Sequence, residues 1–267
     1  MKLSIITVNL NNLEGLKKTY ESIVCQTFTD YEWLVIDGGS TDGSREFIEQ
    51  HQDKFAYWCS EPDKGIYNAM NKGIVKAKGE YLNFMNSGDC FADKETLKKV
   101  FSKSRTVEIV YGLQKQFDEE GGWRYTNLKQ KKITWYNLYM DTIPHQASFT
   151  RKTCFQKIGL YDEKYRIIAD WKWFATAILD FKLSYEFIPM EIAIFEGNGL
   201  STPENIRNEA FVMRTELFPK YISKEEALHL LCLSYIQSSR LTAFLFKVLL
   251  SISYRLVRIK QKKRLNN

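Results

Sequence analysis

The hydrophobic pattern of the first 113 residues alternates between short apolar runs and stretches with helical spacing. The runs "LSIITVNL" (3 to 10) and "EWLVID" (32 to 37) indicate buried strands, and similar runs occupy 55–60, 81–85 and 107–113. Between the runs, apolar residues repeat at helical spacing over 13–24, 66–77 and about 94–102. This alternation predicts an α/β fold with an open, largely parallel central sheet and flanking helices, a Rossmann-like arrangement.

Polar residues follow the predicted strands, and ligands of open parallel sheets bind where the strands end. The residues expected along this edge are Asn9, Asn11, Asp37, Glu61, Asp63 and Asp89. Glycines next to Asp37 and Asp89 would let the backbone approach a ligand closely. A strand-end aspartate is also a common turn former, so a purely structural role for Asp37 is the alternative.

The segment "SEPDKGIYNAMNKG" (60 to 73) places Asp63 and Lys64 directly before a predicted helix. Helix N-termini bind phosphates and other anions, although an ordinary solvated turn would have the same composition. Neither G-x-G-x-x-G nor G-x-x-x-x-G-K-[ST] occurs, which argues against a dinucleotide site and a P-loop. A carboxylate such as Asp89, combined with substrate phosphates, is a usual way to hold Mg²⁺ or Mn²⁺.

The second half of the chain has a different pattern. "KQFDEEGGWRYTNL" predicts a hairpin turning at Gly121-Gly122, "HQASFTR" is strand-like, and a helix is expected from Asp170 to Leu179. A carboxylate at the start of a helix is frequently only a cap or a first-turn acid. Since no linker interrupts the pattern, we predict one domain over 1–225 with halves 1–113 and 114–225, followed by a tail over 226–267.

The charge of this chain is concentrated in its tail. Residues 227–267 contain eight Lys or Arg and no Asp or Glu, which leaves 30 of the 38 basic residues against all 32 acidic residues in the rest of the chain. The body of the protein is therefore not expected to bind nucleic acid.

The tail predicts one basic, amphipathic helix. Its polar stripe recurs at helical spacing, with apolar residues on the remaining surface, and comprises Arg240, Lys247, Ser251, Arg255, Arg258 and Lys262. Such a helix suits the interface of an anionic membrane. The alternative is a terminal helix docked on the body with its basic face in water.

Neither cysteine chemistry nor secretion is indicated by the sequence. The five Cys are scattered without a Cys-x-x-Cys pair, which argues against a disulfide framework and a zinc site. The start, "MKLSIITVNLNN", has no cleavage motif of a signal peptide, and no uncharged apolar stretch reaches the ~18 residues of a spanning helix. We therefore expect a cytoplasmic protein, associated peripherally with the inner face of the cell membrane through its basic tail.

Several motifs together resemble one family. "LSIITVNLNN", "WLVIDGGSTDGS", "EPDKGIYNAMNKGIVKAKGEYLNFMNSGD", "HQASF" and "YDEKYRIIADWKW" occur in this order. The order is similar to that of bacterial family-2 glycosyltransferases of the GT-A fold, which build surface polysaccharides. The resemblance covers about residues 1 to 200 and is specific as a set.

The resemblance implies roles for individual residues. Asp89 matches the last acid of the D-x-D metal motif, whose other positions here are Asn86 and Gly88, and Asp170 matches the catalytic base. Asp37 would accept a hydrogen bond from the nucleobase. The residues implied to hold the nucleotide-sugar are Thr7, Asn9, Asn11, Asp37, Ser40, Asp63, Lys64, Asn71 and His145.

The resemblance also implies the reaction. A nucleoside-diphosphate sugar, with a UDP-sugar favoured, would donate its sugar with inversion to a glycan or lipid-linked acceptor, with Mn²⁺ or Mg²⁺ as cofactor. Two alternatives stay open at this point. A nucleotidyltransferase would need a basic phosphate-gripping loop, which "NLNNLEG" lacks, and a non-catalytic nucleotide-sugar or membrane-binding module would need neither Asp89 nor Asp170.

Overall fold

The computed structural model describes residues 1–117, 122–125, 128–129, 132–195 and 203–222. Residue contacts divide the chain into two compact units, Met1–Arg214 and Thr215–Asn267, and the first carries the features described below. The predicted amphipathic tail over 226–267 lies outside the described residues. Within the described part, no helix is long and apolar enough to cross a membrane.

The strands and helices follow the alternation of the sequence closely in the first half. The strands are β1 Leu3–Asn9, β2 Tyr31–Asp37, β3 Tyr57–Ser60, β4 Tyr81–Phe84, β5 Cys90–Phe91, β6 Ile109–Phe117, β7 Trp123–Tyr125, β8 Ser148–Arg151 and β9 Tyr185–Phe195. The helices are α1 Leu13–Val24, α2 Ser44–Gln50, α3 Ile66–Lys76, α4 Thr96–Val100, α5 Trp135–Met140, α6 Lys152–Ile158, α7 Ala169–Leu179 and α8 Pro203–Leu217.

The described strands form one sheet in the order β3-β2-β1-β4-β8-β6-β9-β5, with β7 paired to β6. The neighbours β3, β2, β1 and β4 are all parallel, as predicted. The other half is mixed, because β8 runs antiparallel to both β4 and β6, while β9 is parallel to β6. "Largely parallel" therefore describes the first half of the sheet and not the second.

Two elements of the mixed half of the sheet differ from the sequence prediction. The strand expected over "HQASFTR" begins only at Ser148, since His145–Ala147 form a turn of 3₁₀ helix. The two-residue strand β5 was not predicted, because two residues carry no measurable periodicity. The predicted hairpin is present as the antiparallel pair β6 and β7, and its turn residue Gly121 lies outside the described residues.

The core lies on both faces of the parallel half of the sheet. All seven residues of β1 are buried, which explains why its sequence is a continuous β-branched run rather than an alternating one. Trp33 on β2 is 2% exposed and packs against Phe55 with ring centroids 4.8 Å apart. This rigid half of the sheet fixes the positions of the loops at its carboxyl edge.

Candidate active site

Strand direction brings the candidate residues to one edge of the sheet. Asn9, Asp37 and Ser60 are the last residues of β1, β2 and β3, and they lie opposite one another in the parallel register. Because β8 is antiparallel to β4, with Tyr81 opposite Arg151, its amino end lies at the carboxyl end of β4. His145, just before β8, is thereby delivered to the same edge.

Asp37 is fully buried and is surrounded by internal donors. Its Oδ1 accepts hydrogen bonds from Asn9 Nδ2 (2.7 Å) and Ser40 Oγ (2.6 Å). Its Oδ2 accepts from Ser60 Oγ (2.6 Å), Ser40 N (2.9 Å) and Gly39 N (3.2 Å). Burial raises the pKa of Asp37, but the hydrogen bonds from Ser40, Ser60 and Asn9 outweigh it and leave the pKa below its ordinary value.

Asp37 therefore joins the ends of β1 and β3 to the turn after β2. A nucleobase would have to displace one of these donors to reach its carboxylate. Thr7 also supports the edge from inside, because its fully buried hydroxyl donates to Met85 O (2.8 Å) and accepts from Trp33 Nε1 (2.9 Å). Ser60 was not singled out by the sequence, although it ends a predicted strand and the strand-end rule would have found it.

The turn after β1 is joined to the turn after β2. Asn11 has a φ of +48°, and its Oδ1 accepts a hydrogen bond from Thr41 N (2.9 Å). Ser40 Oγ accepts from Asn11 N (2.7 Å) and from Asn9 Nδ2 (3.2 Å). Asn9 Oδ1 is buried and has no hydrogen-bond partner among the described residues. The predicted residues Asn9, Asn11 and Ser40 are therefore brought together.

Asp63 and Lys64 lie in the loop between β3 and α3. Asp63 is half-buried, and its Oδ1 accepts a hydrogen bond from Gly65 N (2.8 Å). A Cβ atom on Gly38 would lie 2.6 Å from Asp63 Oδ2, so only glycine at position 38 permits this approach. Lys64 is exposed, and its backbone N–H donates to Asn68 Oδ1 (3.3 Å).

Asp89 ends a tight turn that helix α1 holds in place. Gly88 adopts a φ of +99°, a conformation that favours glycine. Thr19 Oγ1 on α1 accepts a hydrogen bond from Gly88 N (3.0 Å) and contacts the carbonyl oxygens of Asn86 (3.0 Å) and Asp89 (2.8 Å). Asp89 is 5% exposed. Buried Asn86 Oδ1 and Ser87 Oγ in the same turn have no hydrogen-bond partner among the described residues.

Asp170, in the first turn of α7, is 7% exposed and does not cap its helix. The cap position is Ile168, and the carboxylate instead receives side chains from two other elements. Tyr67 Oη lies 2.6 Å from Oδ1, and His145 Nδ1 lies 2.8 Å from Oδ2. Asn86 Nδ2 lies 3.1 Å from His145 Nε2. With this amide donating to Nε2, the ring proton is on Nδ1 and faces Asp170.

The hydroxyl of Tyr67 has two acceptors but one proton. Ile167 O lies 2.7 Å from Tyr67 Oη, which is also 2.6 Å from Asp170 Oδ1. Burial and, after it, the charge of Asp170 raise the pKa of both Tyr67 and Tyr161 well above the ordinary value. The phenol therefore stays protonated beside the carboxylate at neutral pH. Tyr67 was not among the predicted site residues, because no sequence signal separates it from the apolar face of α3.

Asn71 joins α3 to the segment that leads into α7. Its Nδ2 donates to Tyr161 O (3.0 Å) and Glu163 Oε1 (3.0 Å), and its Oδ1 accepts from Tyr161 N (3.0 Å). It is 6% exposed. The predicted pocket residue Asn71 is therefore engaged internally, and it fixes α3 to the segment before Asp170.

Comparison with known proteins identifies the family of this chain. The sequence profile described as "Glycosyl transferase family 2" matches residues 4–165, which include all the strand-end residues above. The chain belongs to glycosyl transferase family 2. The predicted family is thereby confirmed, and glycosyl transfer is favoured over nucleotidyl transfer.

Relatives of this glycosyltransferase include an uncharacterized glycosyltransferase of Mycobacterium tuberculosis, 34% identical over 187 residues that cover 66% of this chain and 69% of the relative. A PGL/p-HBAD biosynthesis glycosyltransferase of Mycobacterium bovis is 29% identical over 209 residues, covering 74% and 78% of the two chains. Both matches extend beyond the parallel half of the sheet.

Solved structures share the fold of this glycosyltransferase. Residues 1–349 of S. aureus TarS in complex with UDP-GlcNAc match with a TM-score of 0.64 at 17% identity, covering 85% of this chain and 69% of TarS. The mannosyltransferase PcManGT from Pyrobaculum calidifontis, in complex with GDP-Man and Mn²⁺, matches with a TM-score of 0.55 at 15% identity, covering 96% and 80%. The predicted α/β fold of GT-A type is confirmed.

Proposed function

We propose that this glycosyltransferase moves a sugar from a nucleoside-diphosphate sugar to an acceptor hydroxyl with inversion, and that Asp170 is the catalytic base. The observation that carries the base assignment is the environment of Asp170. A helix-capping acid would bind backbone N–H groups, whereas Asp170 receives Tyr67 and His145 from two other elements at the carboxyl edge. A carboxylate held in one orientation by side chains suits proton abstraction.

In this reaction Asp170 takes the proton of the acceptor hydroxyl while that oxygen attacks the anomeric carbon. The bond from the anomeric carbon to the diphosphate oxygen breaks, and the nucleoside diphosphate leaves with its electron pair. His145 holds Asp170 Oδ2 through its ring N–H. Lys64, exposed before α3, would stabilise the charge on the departing diphosphate.

A divalent cation, Mn²⁺ or Mg²⁺, fits the turn that carries Asp89. No group of three or more His, Cys, Asp or Glu suited to a metal lies within the described ranges, so the donor's diphosphate would supply the remaining ligands. Asp89 would hold the cation, and the unpaired oxygens of Asn86 and Ser87 in the same turn are of the type that hard cations prefer. When bound, the cation would neutralise charge on the diphosphate.

The proposal extends to the donor, the acceptor and the cellular site of the reaction. A UDP-sugar is the favoured donor, supported by the fold shared with a protein solved in complex with UDP-GlcNAc. The proposed acceptor is a glycan or a lipid-linked acceptor of cell-surface polysaccharide synthesis. The basic stripe of the tail supports action at the cytoplasmic face of the membrane, where a lipid-linked acceptor would be presented.

The donor is tested by the thermal stability of the full chain with UDP-, GDP-, dTDP- and CMP-sugars, each with and without Mn²⁺. A ligand at about 100 times its dissociation constant stabilises a protein by about 2.7 kcal/mol. Stabilisation by one nucleotide class that depends on Mn²⁺ is expected. Binding that is equally strong without Mn²⁺ would contradict the metal assignment.

The base is tested by donor hydrolysis, in which water replaces the acceptor. Asp170→Asn should reduce turnover by at least about 100-fold and leave donor binding unchanged, while Asp89→Ala should weaken Mn²⁺-dependent donor binding. Loss of donor binding in Asp170→Asn would count against its role as base. Full activity of both variants would refute the catalytic proposal.

A further inference from the structure

We propose that Asp63, and not Asp37, recognises the donor nucleobase, and that the base has a ring N–H next to a carbonyl, as in uracil, thymine and guanine. This inference rests on the proposed function. Its starting point is the hydrogen bonding of Asp37, whose two oxygens accept five hydrogen bonds inside the protein. A fully buried and fully bonded carboxylate has no free acceptor to offer a ligand.

Asp63 provides the free carboxylate oxygen at the same edge. Its Oδ1 is bound to Gly65 N (2.8 Å), and its Oδ2 has no hydrogen-bond donor among the residues that the structure describes. This oxygen lies over Gly38, directly after β2, at the place where a side chain of residue 38 would begin. Gly38 has no side chain, and the carboxylate of Asp63, from the loop after β3, lies in the space that a side chain would fill.

An apolar surface lies beside this oxygen. Leu10, directly after β1, is 58% exposed. A Cβ atom on Gly38 would lie 3.1 Å from Leu10 Cδ1 and 2.6 Å from Asp63 Oδ2, so both atoms border the same space. A flat ring can pack on Leu10 and on the glycine backbone while its edge faces Asp63 Oδ2. A planar apolar contact with one polar group at the edge is the usual composition of a small-molecule subsite.

The chemistry of a free carboxylate oxygen decides which bases fit. It accepts a hydrogen bond and cannot donate one. Uracil and thymine present N3–H and guanine presents N1–H, whereas cytosine and adenine present an unprotonated ring nitrogen at that edge. The subsite should therefore bind UDP, dTDP or GDP more tightly than CDP, whose only donor at this edge is the exocyclic amino group of cytosine.

Asp63→Asn should reverse this selection. Since Gly65 N must keep an acceptor, the amide oxygen of the variant stays at the Oδ1 position and the NH₂ group takes the place of Oδ2. A donor then faces the base, which repels a ring N–H and matches the ring nitrogen of cytosine. Exchanging one charge-assisted hydrogen bond for a mismatch changes an affinity ratio by about tenfold or more.

The experiment measures binding of UDP, dTDP, GDP and CDP to the full chain by calorimetry in the presence of Mn²⁺. Glu61→Gln is the matched control, because it makes the same charge change two residues away on an exposed side chain that pairs with Lys72 (2.8 Å). The wild type should bind a nucleotide with a ring N–H more tightly than CDP. That preference should fall at least about tenfold in Asp63→Asn and stay unchanged in Glu61→Gln.

Failure of the Asp63 inference and failure of the proposed transferase function give different binding results. If the wild type binds UDP, dTDP or GDP but Asp63→Asn keeps the same preference over CDP, or loses all nucleotides equally, Asp63 does not read the base and the proposed transferase function stands. CDP as the tightest wild-type ligand would also overturn the inference. If none of the four nucleotides binds the wild type, the nucleotide-sugar donor itself is refuted together with the inference.

Discussion

The hydrogen-bond cluster at Asp37 makes a quantitative prediction about stability. In Asp37→Asn the amide oxygen must face the two backbone donors, Gly39 N and Ser40 N, because these cannot turn. The new NH₂ group then faces the Ser40 hydroxyl, which can rotate, and Asn9, whose unpaired Oδ1 can rotate inward. The cluster can therefore be paired again, but without a negative charge.

The expected loss follows from the difference between charged and neutral hydrogen bonds. Bonds to a charged group contribute about 1.5 to 3 kcal/mol and neutral ones about 0.5 to 1.5, so five bonds lose about 5 kcal/mol together. The neutral amide is easier to bury, which offsets several kcal/mol. We expect a net destabilisation of about 2 kcal/mol. Asp37→Ala removes the acceptor of all five donors, of which Gly39 N and Ser40 N cannot turn to another partner, and should cost at least about 3 kcal/mol.

Urea unfolding followed by tryptophan fluorescence measures this change. With a slope of about 3 kcal/mol per M, the midpoint of Asp37→Asn should fall by about 0.7 M at pH 7. The control is Asp42→Asn, an exposed carboxylate of the same turn that accepts from Leu13 N (2.8 Å) and Ser44 N (3.1 Å), with an expected cost below about 1 kcal/mol.

The stabilisation by the ionised Asp37 carboxylate depends on pH. The native pKa of Asp37 lies below its ordinary value of 3.8, so the stabilisation is fully present above about pH 4 and is lost as the pH falls through the native pKa. The difference between wild type and Asp37→Asn should be constant from pH 8 to 5 and shrink below that. Equal midpoints at pH 7, or a difference that already closes between pH 7 and 5, would refute the reasoning.

Two further predictions concern residues outside the sequence-derived site. Tyr67→Phe removes the hydroxyl beside Asp170 and should lower kcat for donor hydrolysis about tenfold at unchanged KM, while Tyr161→Phe, whose hydroxyl makes no hydrogen bond to Asp170, should not; equal kcat in both variants would contradict a positioning role for Tyr67. Thr19→Val deprives Gly88 N of its acceptor and should destabilise the chain by about 1 to 3 kcal/mol and weaken Mn²⁺-dependent donor binding, as measured by calorimetry; unchanged donor affinity would contradict it.

The sequence predicts the parallel half of the fold well because its strands are buried on both faces. A continuous run such as that of β1 leaves few alternatives, and the carboxyl-edge rule then gathers Asn9 and Asp37 correctly. The mixed half of the sheet is less predictable. The direction of β8 and the existence of β5 depend on long-range pairing, and two to four residues carry no periodic signal of it.

The sequence also identifies candidate residues without revealing their partners. Asp37 and Asp63 are both candidate ligand-binding carboxylates in the sequence, yet Asp37 is saturated by hydrogen bonds and Asp63 keeps one oxygen without a donor among the described residues. Asp170 could equally have been a helix cap, and only the approach of Tyr67 and His145 distinguishes the two roles. Such distinctions depend on which side chains meet in space, and no spacing along the chain encodes that.

The hydrogen bonds between Thr19 and the Asp89 turn have a thermodynamic consequence for ligand affinity. The turn is ordered by a helix that belongs to the core, so its conformational entropy is lost when the chain folds and not when the donor arrives. Under the proposed role of Asp89, donor affinity then depends on the folding of α1 through the Thr19 hydroxyl, on a residue that is fully buried. Mutations that loosen this helix should therefore weaken nucleotide binding and protein stability together, and stabilising it should strengthen both.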